Sequence, residues 1–254
     1  MSEILLRVNT LTKQFGGLTA IDKVSFDVKR GTIKAVIGPN GSGKTTLFNL
    51  ISGHYKPSNG DIYFYGFNIS MWPAWRTARV GISRTFQNLA LFGNMTVLEN
   101  VLMGVHVRIK AGFVSSVFRT PSFYKIEKKA RSIAFEKLSV LGLESLADKR
   151  CDELPFGLQR SVEMARALAA TPKLLLLDEP ASGLDIKDKM KLVDIIRDIR
   201  DQDVTVLMVE HDMNLTMELA EEVVVLDSGR KVAEGTPKQV QKNPEVIKVY
   251  LGDI

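Results

Sequence analysis

Nine consecutive residues carry the most specific chemistry in the chain: Gly38-Pro39-Asn40-Gly41-Ser42-Gly43-Lys44-Thr45-Thr46. They fit G-x-x-x-x-G-K-[ST], the spacing of a phosphate-binding loop. Its glycines let the backbone curl until several N–H groups point inward at phosphate oxygens. A helix that follows adds partial positive charge at its N-terminus. Lys44 brings a full charge between β- and γ-phosphates, and the Thr45 hydroxyl suits Mg²⁺. The flanks supply the required context. Residues 33–37 are an apolar run that reads as a buried strand, and Leu47-Phe48-Asn49-Leu50-Ile51 reads as helix. A glycine turn with a chance lysine needs neither flank, so the stretch predicts a nucleoside triphosphate as ligand.

A second stretch, Leu174-Leu175-Leu176-Leu177-Asp178-Glu179, ends an apolar strand in two carboxylates. Asp178 at such a strand's C-terminal edge suits Mg²⁺, directly or through water. Glu179 can polarise an attacking water. Alone, the stretch reads equally well as a buried strand with an exposed acidic turn; beside a phosphate loop the catalytic reading gains. His211 follows another apolar run, 204–209, and so falls at the sheet edge where ligands bind in α/β folds.

The elements that must position these groups follow from periodicity. Two alternating strands are expected around Gly16-Gly17, at 5–9 and 24–28, and a third at 61–65 after Pro57-Ser58-Asn59-Gly60. Together they predict an antiparallel sheet beside the nucleotide. From about 95 to 170 the pattern is helical: Val97, Leu98, Val101 and Leu102 share a face, and 126–141 carries apolar residues at helical spacing among basic ones. Residues 107–125 between them read as an irregular basic and aromatic insertion. It would be either a contact with a membrane partner or lipid, or a solvated loop with a few buried aromatics. Strands at 174–177, 204–209 and 223–226 alternate with helices at 187–200 and 213–220, the signature of a parallel α/β sheet. Asp227-Ser228-Gly229-Arg230 reads as a hairpin turn. Trp72 and Trp75 flank Pro73 in an expected turn with a structural role.

Composition narrows the class. The 254 residues are 45 % hydrophobic and 25 % charged, ample for a buried core. A net charge of +5 permits a membrane surface or nucleic acid but favours neither. Cys151 is the sole cysteine, so disulfides within the chain and cysteine metal clusters are excluded, and a reducing interior fits. His54, His106 and His211 are too scattered for a metal cluster. The first residues lack the apolar core of a signal peptide, and no run approaches the roughly 18 apolar residues of a membrane span.

Taken in order, the phosphate loop, Gln87, Leu154-Pro155-Phe156-Gly157-Leu158-Gln159, Leu177-Asp178-Glu179-Pro180, Ser182-Gly183-Leu184-Asp185 and His211 resemble the ATP-binding subunits of ABC transporters, across essentially the whole chain. More narrowly, four segments are similar to the branched-chain amino-acid importer branch. These are Arg84-Thr85-Phe86-Gln87-Asn88, Asn94-Met95-Thr96-Val97-Leu98-Glu99-Asn100, the insertion 107–125 and Glu245-Val246-Ile247-Lys248-Val249-Tyr250-Leu251-Gly252. The resemblance implies an α/β fold: a P-loop NTPase core with a parallel sheet, a flanking antiparallel β subdomain and an inserted α-helical subdomain. Residues 1–254 would form a single cassette. Within it, 1–87 and 171–254 would be the ATP-binding core with the antiparallel β subdomain, and 88–170 the helical subdomain with the signature segment.

The same resemblance implies roles. Glu179, His211, Lys44 and Gln87 would be catalytic; Thr45, Gln87 and Asp178 would surround Mg²⁺. Gly38, Pro39, Asn40, Gly41, Ser42, Gly43, Lys44, Thr45 and Thr46 would cradle the phosphates of ATP. Phe15 would stack on adenine, or else belong to the core of the first hairpin. Asp185 would meet the opposite subunit, cap the helix at 187–200, or do both. The signature segment departs from the usual Leu-Ser-Gly-Gly-Gln: Pro155 replaces the serine and Leu158 the glutamine, while Gly157 is kept at the close-approach position. The helix expected to follow, roughly 159–169, still offers its N-terminus to an anion, so the segment implies a weakened or retuned site, completed by a second ATP-binding subunit, identical or different. Polytopic membrane permease subunits are the other implied partners, with the chain peripheral on the cytoplasmic face of the membrane and no nucleic acid bound. Two rivals stay open: a soluble ABC-type ATPase acting on DNA or ribosomes, and a regulatory ATP-sensing module. The first commonly needs two cassettes or a long coiled coil, and neither is visible. The second gains from the unusual signature and loses from Glu179 and His211.

Overall fold

The computed structural model describes residues 3–86, 89–107 and 121–251. A hairpin of β1 (Ile4–Phe15) and β2 (Leu18–Lys29) opens the chain. β3 (Ile33–Ile37) then runs through the glycine loop into α1 (Lys44–Ile51). Next come β4 (Asn59–Phe64), β5 (Phe67–Asn68), α2 (Ala74–Val80) and β6 (Ile82–Arg84). Three helices follow: α3 (Val97–Val105), α4 (Pro121–Val140) and α5 (Phe156–Ala169). The chain returns through β7 (Leu174–Asp178), α6 (Ile186–Asp201), β8 (Thr205–Val209), α7 (Met213–Leu219) and the hairpin β9 (Glu222–Asp227) and β10 (Arg230–Gly235). It closes with α8 (Pro237–Gln241) and α9 (Pro244–Leu251).

Two sheets form. One is antiparallel, in the order β2-β1-β4-β5; the other has the order β10-β9-β3-β8-β7-β6, parallel from β9 to β6 with β10 antiparallel at its edge. Every residue of β3, β7 and β8 is buried, as expected of parallel strands covered on both faces. The two-residue period of a strand then sorts their side chains. Ala35, Leu175, Leu177 and Met208 join α3, α5 and α6 in one core, with Val101, Val162 and Ile196. Val36, Leu176 and Val209 join Phe48 and Ile51 of α1 and Leu6 and Ile62 of the antiparallel sheet in the other. Lys34 breaks the apolar run of β3 and is buried, but Glu222 and Glu234 at 3.0 and 2.5 Å and the Asp27 carbonyl satisfy its ammonium.

Several expectations needed correction. The helix after the signature segment starts at Phe156, not Gln159. Pro155 is its N-cap, where a missing N–H costs little because the first N–H groups of a helix have no intrahelical partner. Residues 121–125 belong to α4 rather than to an irregular insertion; 108–120 lie outside the described residues. Pro73 likewise caps α2, so Trp75 sits on a helix and is exposed instead of packed. The helix α3 starts at a capping box, in which Glu99 N–H donates to Thr96 Oγ1 at 3.1 Å and Thr96 N–H to Glu99 Oε2 at 2.8 Å.

Candidate functional site

Strand register sets the site. Val36 of β3 and Asp178 of β7 both pair with Val209 of β8. The glycine loop, the Asp178-Glu179 turn and the Glu210-His211 segment therefore leave the sheet level with one another along its C-terminal edge. The loop is wedged between backbones. A Cβ on Gly38 would lie 2.0 Å from Leu226 O, and one on Gly43 2.6 Å from Ala20 O, with φ of +152° and +102°. No side chain caps α1 and no acidic residue lies in its first turn, so its leading N–H groups face outward as an anion site.

Lys44 is 7 % exposed, and its Nζ donates to Gly38 O and Pro39 O, both at 2.8 Å. Burial pulls its pKa down, while Glu179 and then Asp178 pull it back up. Phe15, Asn40, Gly41, Gly43, Lys44, Thr45, Thr46 and Glu179 share one cleft of about 720 Å³. Pro39 and Ser42 complete the loop behind it; Ser42 is buried and lies 3.5 Å from Lys44 Nζ. Phe15 is 42 % exposed, so it is not a core residue of the first hairpin; its ring meets Tyr55 edge-on at 5.3 Å, with Lys13 Nζ 4.9 Å from its centre.

At the far side, Asp178 is buried and its Oδ2 accepts from Arg84 Nη2 at 2.7 Å. Arg84 Nη1 also donates to Asn49 Oδ1 on α1 at 2.7 Å and to Oγ of Ser52, the C-cap of that helix, at 3.3 Å. One guanidinium thus ties β6 to α1 and β7. Glu179 adopts a φ of +48°, unusual for a residue with a side chain, and its N–H donates to Val209 O at 2.9 Å. His211 Nδ1 lies 3.7 Å from Glu179 Oε2, with the imidazole side chain 59 % exposed.

The remaining expected residues lie elsewhere. Gly157 borders a separate cavity of about 430 Å³ with Pro155, Leu158 and Leu184; a Cβ there would meet Asp188 Oδ2 at 2.7 Å. Asp185 caps α6, its Oδ1 accepting from Asp188 N–H at 2.8 Å. Gln87 lies outside the described residues, but its neighbours are held by α5. Arg160 Nη1 donates to Phe86 O at 2.8 Å, Phe86 N–H to Glu163 Oε1 at 3.2 Å, and Arg166 Nη1 to Ala90 O at 2.6 Å. Burial pushes the Glu163 carboxyl up. The sequence reading assigned no role to Arg84, Arg160, Glu163 or Glu210. Only Glu210 carried a local signal, a carboxylate directly after the apolar run 206–209.

Comparison with known proteins agrees with this geometry. The ABC transporter family model matches residues 21–182, and one described as a branched-chain amino acid ATP-binding cassette transporter matches 230–253. The high-affinity branched-chain amino acid transport ATP-binding protein BraF of Pseudomonas aeruginosa is 41 % identical over 254 residues, covering 100 % of both chains. The corresponding LivG of Escherichia coli is likewise 41 % identical over the whole of both. A crystal structure of a nucleotide-free ATP-binding cassette from an ABC transporter superposes with a TM-score of 0.86 at 32 % identity, covering 99 % of this chain and 100 % of that one. A dimeric cassette in a post-hydrolysis state bound to ADP and Pi gives 0.78 at 26 % identity, covering 92 % and 99 %. Likeness of this extent runs from end to end in both sequence and fold, and the chain belongs to the ABC transporter family as one of its ATP-binding cassettes.

Proposed function

We propose that this chain is the ATP-binding and ATP-hydrolysing subunit of an importer for branched-chain amino acids. One observation carries the reading: the glycine loop, Lys44 and Glu179 meet in a single cleft, on a chain 41 % identical throughout to a branched-chain amino acid transport ATP-binding protein. Lys44 exchanges the carbonyls of Gly38 and Pro39 for phosphate oxygens, and the N–H groups of the loop and of the first turn of α1 take the rest. Phe15 offers its exposed ring to adenine. Glu179 orients the attacking water, and Lys44 and His211 meet the charge that develops on the γ-phosphate, so catalysis is mainly positioning and electrostatics.

The residues present suit Mg²⁺. The Thr45 hydroxyl and the Asp178 carboxylate are hard oxygen donors, and this ion is commonly held by one or two such groups together with phosphates and water. Among the described residues no cluster of three His, Cys, Asp or Glu could hold a metal ion. Mg²⁺ would neutralise charge across the β- and γ-phosphates; Gln87 is the further candidate to face it.

Gly157 and Asp185 stand apart from the Lys44 cleft, which fits a second ATP-binding subunit, identical or different, closing over it; the segment with Pro155 and Leu158 would then face the partner's nucleotide. Residues 88–170 form the unit that moves, against an ATP-binding core of 1–87 and 171–254. Among the described residues no helix is long and apolar enough to cross a membrane. Polytopic permease subunits would be the partners that carry the solute across the membrane, with this chain on the cytoplasmic face; no nucleic acid is expected as a partner. The test is affinity capture of a tagged Glu179→Gln chain from detergent-solubilised host membranes with Mg·ATP. Recovery of polytopic membrane proteins and a second ATP-binding chain is expected. Recovery of ribosomal or DNA-bound proteins alone would overturn the assignment.

A further inference from the structure

Glu210, the residue just beyond β8, is completely buried. A buried carboxylate is costly unless its oxygens are hydrogen-bonded. Both are, and their donors come from two different loops. Oε1 accepts from Ala181 N–H at 2.8 Å; Oε2 accepts from His211 N–H at 3.2 Å and, more weakly, from Asp212 N–H at 3.5 Å. We propose that Glu210 is a positioning residue that locks the turn bearing Glu179 to the segment bearing His211. The inference rests on the reading that Glu179 and His211 act on ATP.

The turn needs holding. Glu179 sits at φ +48°, a strained conformation for a residue with a side chain that persists only where its surroundings over-determine it. Two consecutive residues at the end of β8 do so. Val209 O takes the Glu179 N–H at 2.9 Å, and Glu210 Oε1 takes the N–H two residues further on. The turn closes on itself through Ser182 N–H to Glu179 O at 3.1 Å. The other oxygen of Glu210 fixes the backbone from which His211 reaches to within 3.7 Å of Glu179 Oε2. Asp212, the next residue, caps α7, so the segment is anchored beyond His211 as well.

The geometry requires two acceptor oxygens, one for each loop. A glutamine has one acceptor oxygen and an NH₂ group, which would meet another donor at one of the two loops. Glu210→Gln therefore keeps one attachment and loses the other; Glu210→Ala loses both. Neither variant touches the glycine loop, Lys44 or Phe15, which hang from β1, β3 and α1. Turnover should fall while nucleotide affinity stays. A shift of about 1 Å in a reacting group can cost roughly 10²-fold in rate.

The experiment compares wild type, Glu210→Gln and Glu210→Ala, each assembled with its membrane partners. It measures phosphate release at saturating Mg·ATP, equilibrium Mg·ATP binding, and backbone amide exchange at Ala181 and His211. The expected result for Glu210→Gln is a kcat loss of about 10- to 100-fold with Kd changed less than about 3-fold, and faster exchange at one of the two amides. Glu210→Ala should lose more and release both amides. A folded Glu210→Gln protein with wild-type kcat, or with kcat and ATP affinity falling in parallel, overturns the proposal. If Glu210→Ala fails to fold, the isosteric glutamine variant decides. If the wild-type complex neither binds nor hydrolyses ATP, the functional assignment fails instead. The amide exchange of Glu210→Gln still decides whether this side chain holds the two loops.

Discussion

Replacing Arg84 by Met tests how the site keeps a carboxylate ready inside the protein. Arg84 and Asp178 are 6 % and 2 % exposed at the side chain, 2.7 Å apart. Removing one member of such a pair leaves an uncompensated buried charge and costs about 3–5 kcal/mol. Asn49 Oδ1 loses its 2.7 Å donor at the same time, which pushes the cost towards the upper end. For a chain of this size each kcal/mol lowers Tm by roughly 2–4 °C, so Arg84→Met should lower it by about 6–20 °C. The double variant is the sharper test. Asp178→Asn in the Arg84→Met background removes the stranded charge, so it should unfold at a higher temperature than Arg84→Met alone. Thermal unfolding of the four proteins by circular dichroism, without nucleotide, closes the cycle. An Arg84→Met protein within 2 °C of wild type would refute the reasoning, as would strictly additive losses in the double variant.

Three further outcomes follow from single contacts. Phe15→Ala should raise the Kd for ATP about 5- to 150-fold, the range of one lost base–aromatic stack, while leaving the Kd for inorganic tripolyphosphate unchanged; isothermal titration with both ligands checks it. Gly43→Ala places a Cβ 2.6 Å from Ala20 O at a φ of +102°, so the loop must shift and ATP binding should be lost, with far-ultraviolet circular dichroism preserved. Cys151 is buried, and burial pushes its thiol up from 9.0 to about 11. The unfolded thiol therefore ionises first. The stability this group contributes is intact below pH 9 and is lost as pH rises towards 11. Urea unfolding between pH 8 and 11 should show a steeper decline for wild type than for Cys151→Ala; equal slopes would contradict it.

What the sequence reveals here depends on where the determining interactions lie. β3, β7 and β8 are legible because parallel strands buried on both faces must be apolar throughout, and 33–37, 174–177 and 204–209 are nearly so. The phosphate loop is legible because backbone geometry forces glycine at fixed spacing. Helix starts at proline are not. A proline reads locally as a break, yet at a helix N-terminus it leaves the helix intact, so α2 begins directly after Pro73, where a turn is expected, and α5 begins directly after Pro155, ahead of the expected 159. The roles of Arg84 and Glu210 were invisible for a different reason. Arg84 meets Asp178 only because the short edge strand β6 pairs with β7, and Glu210 meets Ala181 only because β8 lies beside β7. Such pairings follow from sheet order, which no local pattern encodes. Phe15 shows the converse: sequence left it between core and ligand platform, and its exposure on the cleft removed the first alternative.

The central claim is that Lys44 binds the nucleotide and Glu179 turns it over. The direct measurement is paired: equilibrium Mg·ATP binding and phosphate release for wild type, Lys44→Ala and Glu179→Gln in the complex with their membrane partners. Lys44→Ala is expected to lose tight binding. Glu179→Gln is expected to bind Mg·ATP within about 3-fold of wild type while turnover falls by about 10²-fold or more, the loss associated with a general base. Equal loss of binding and turnover in both variants would contradict the division of roles.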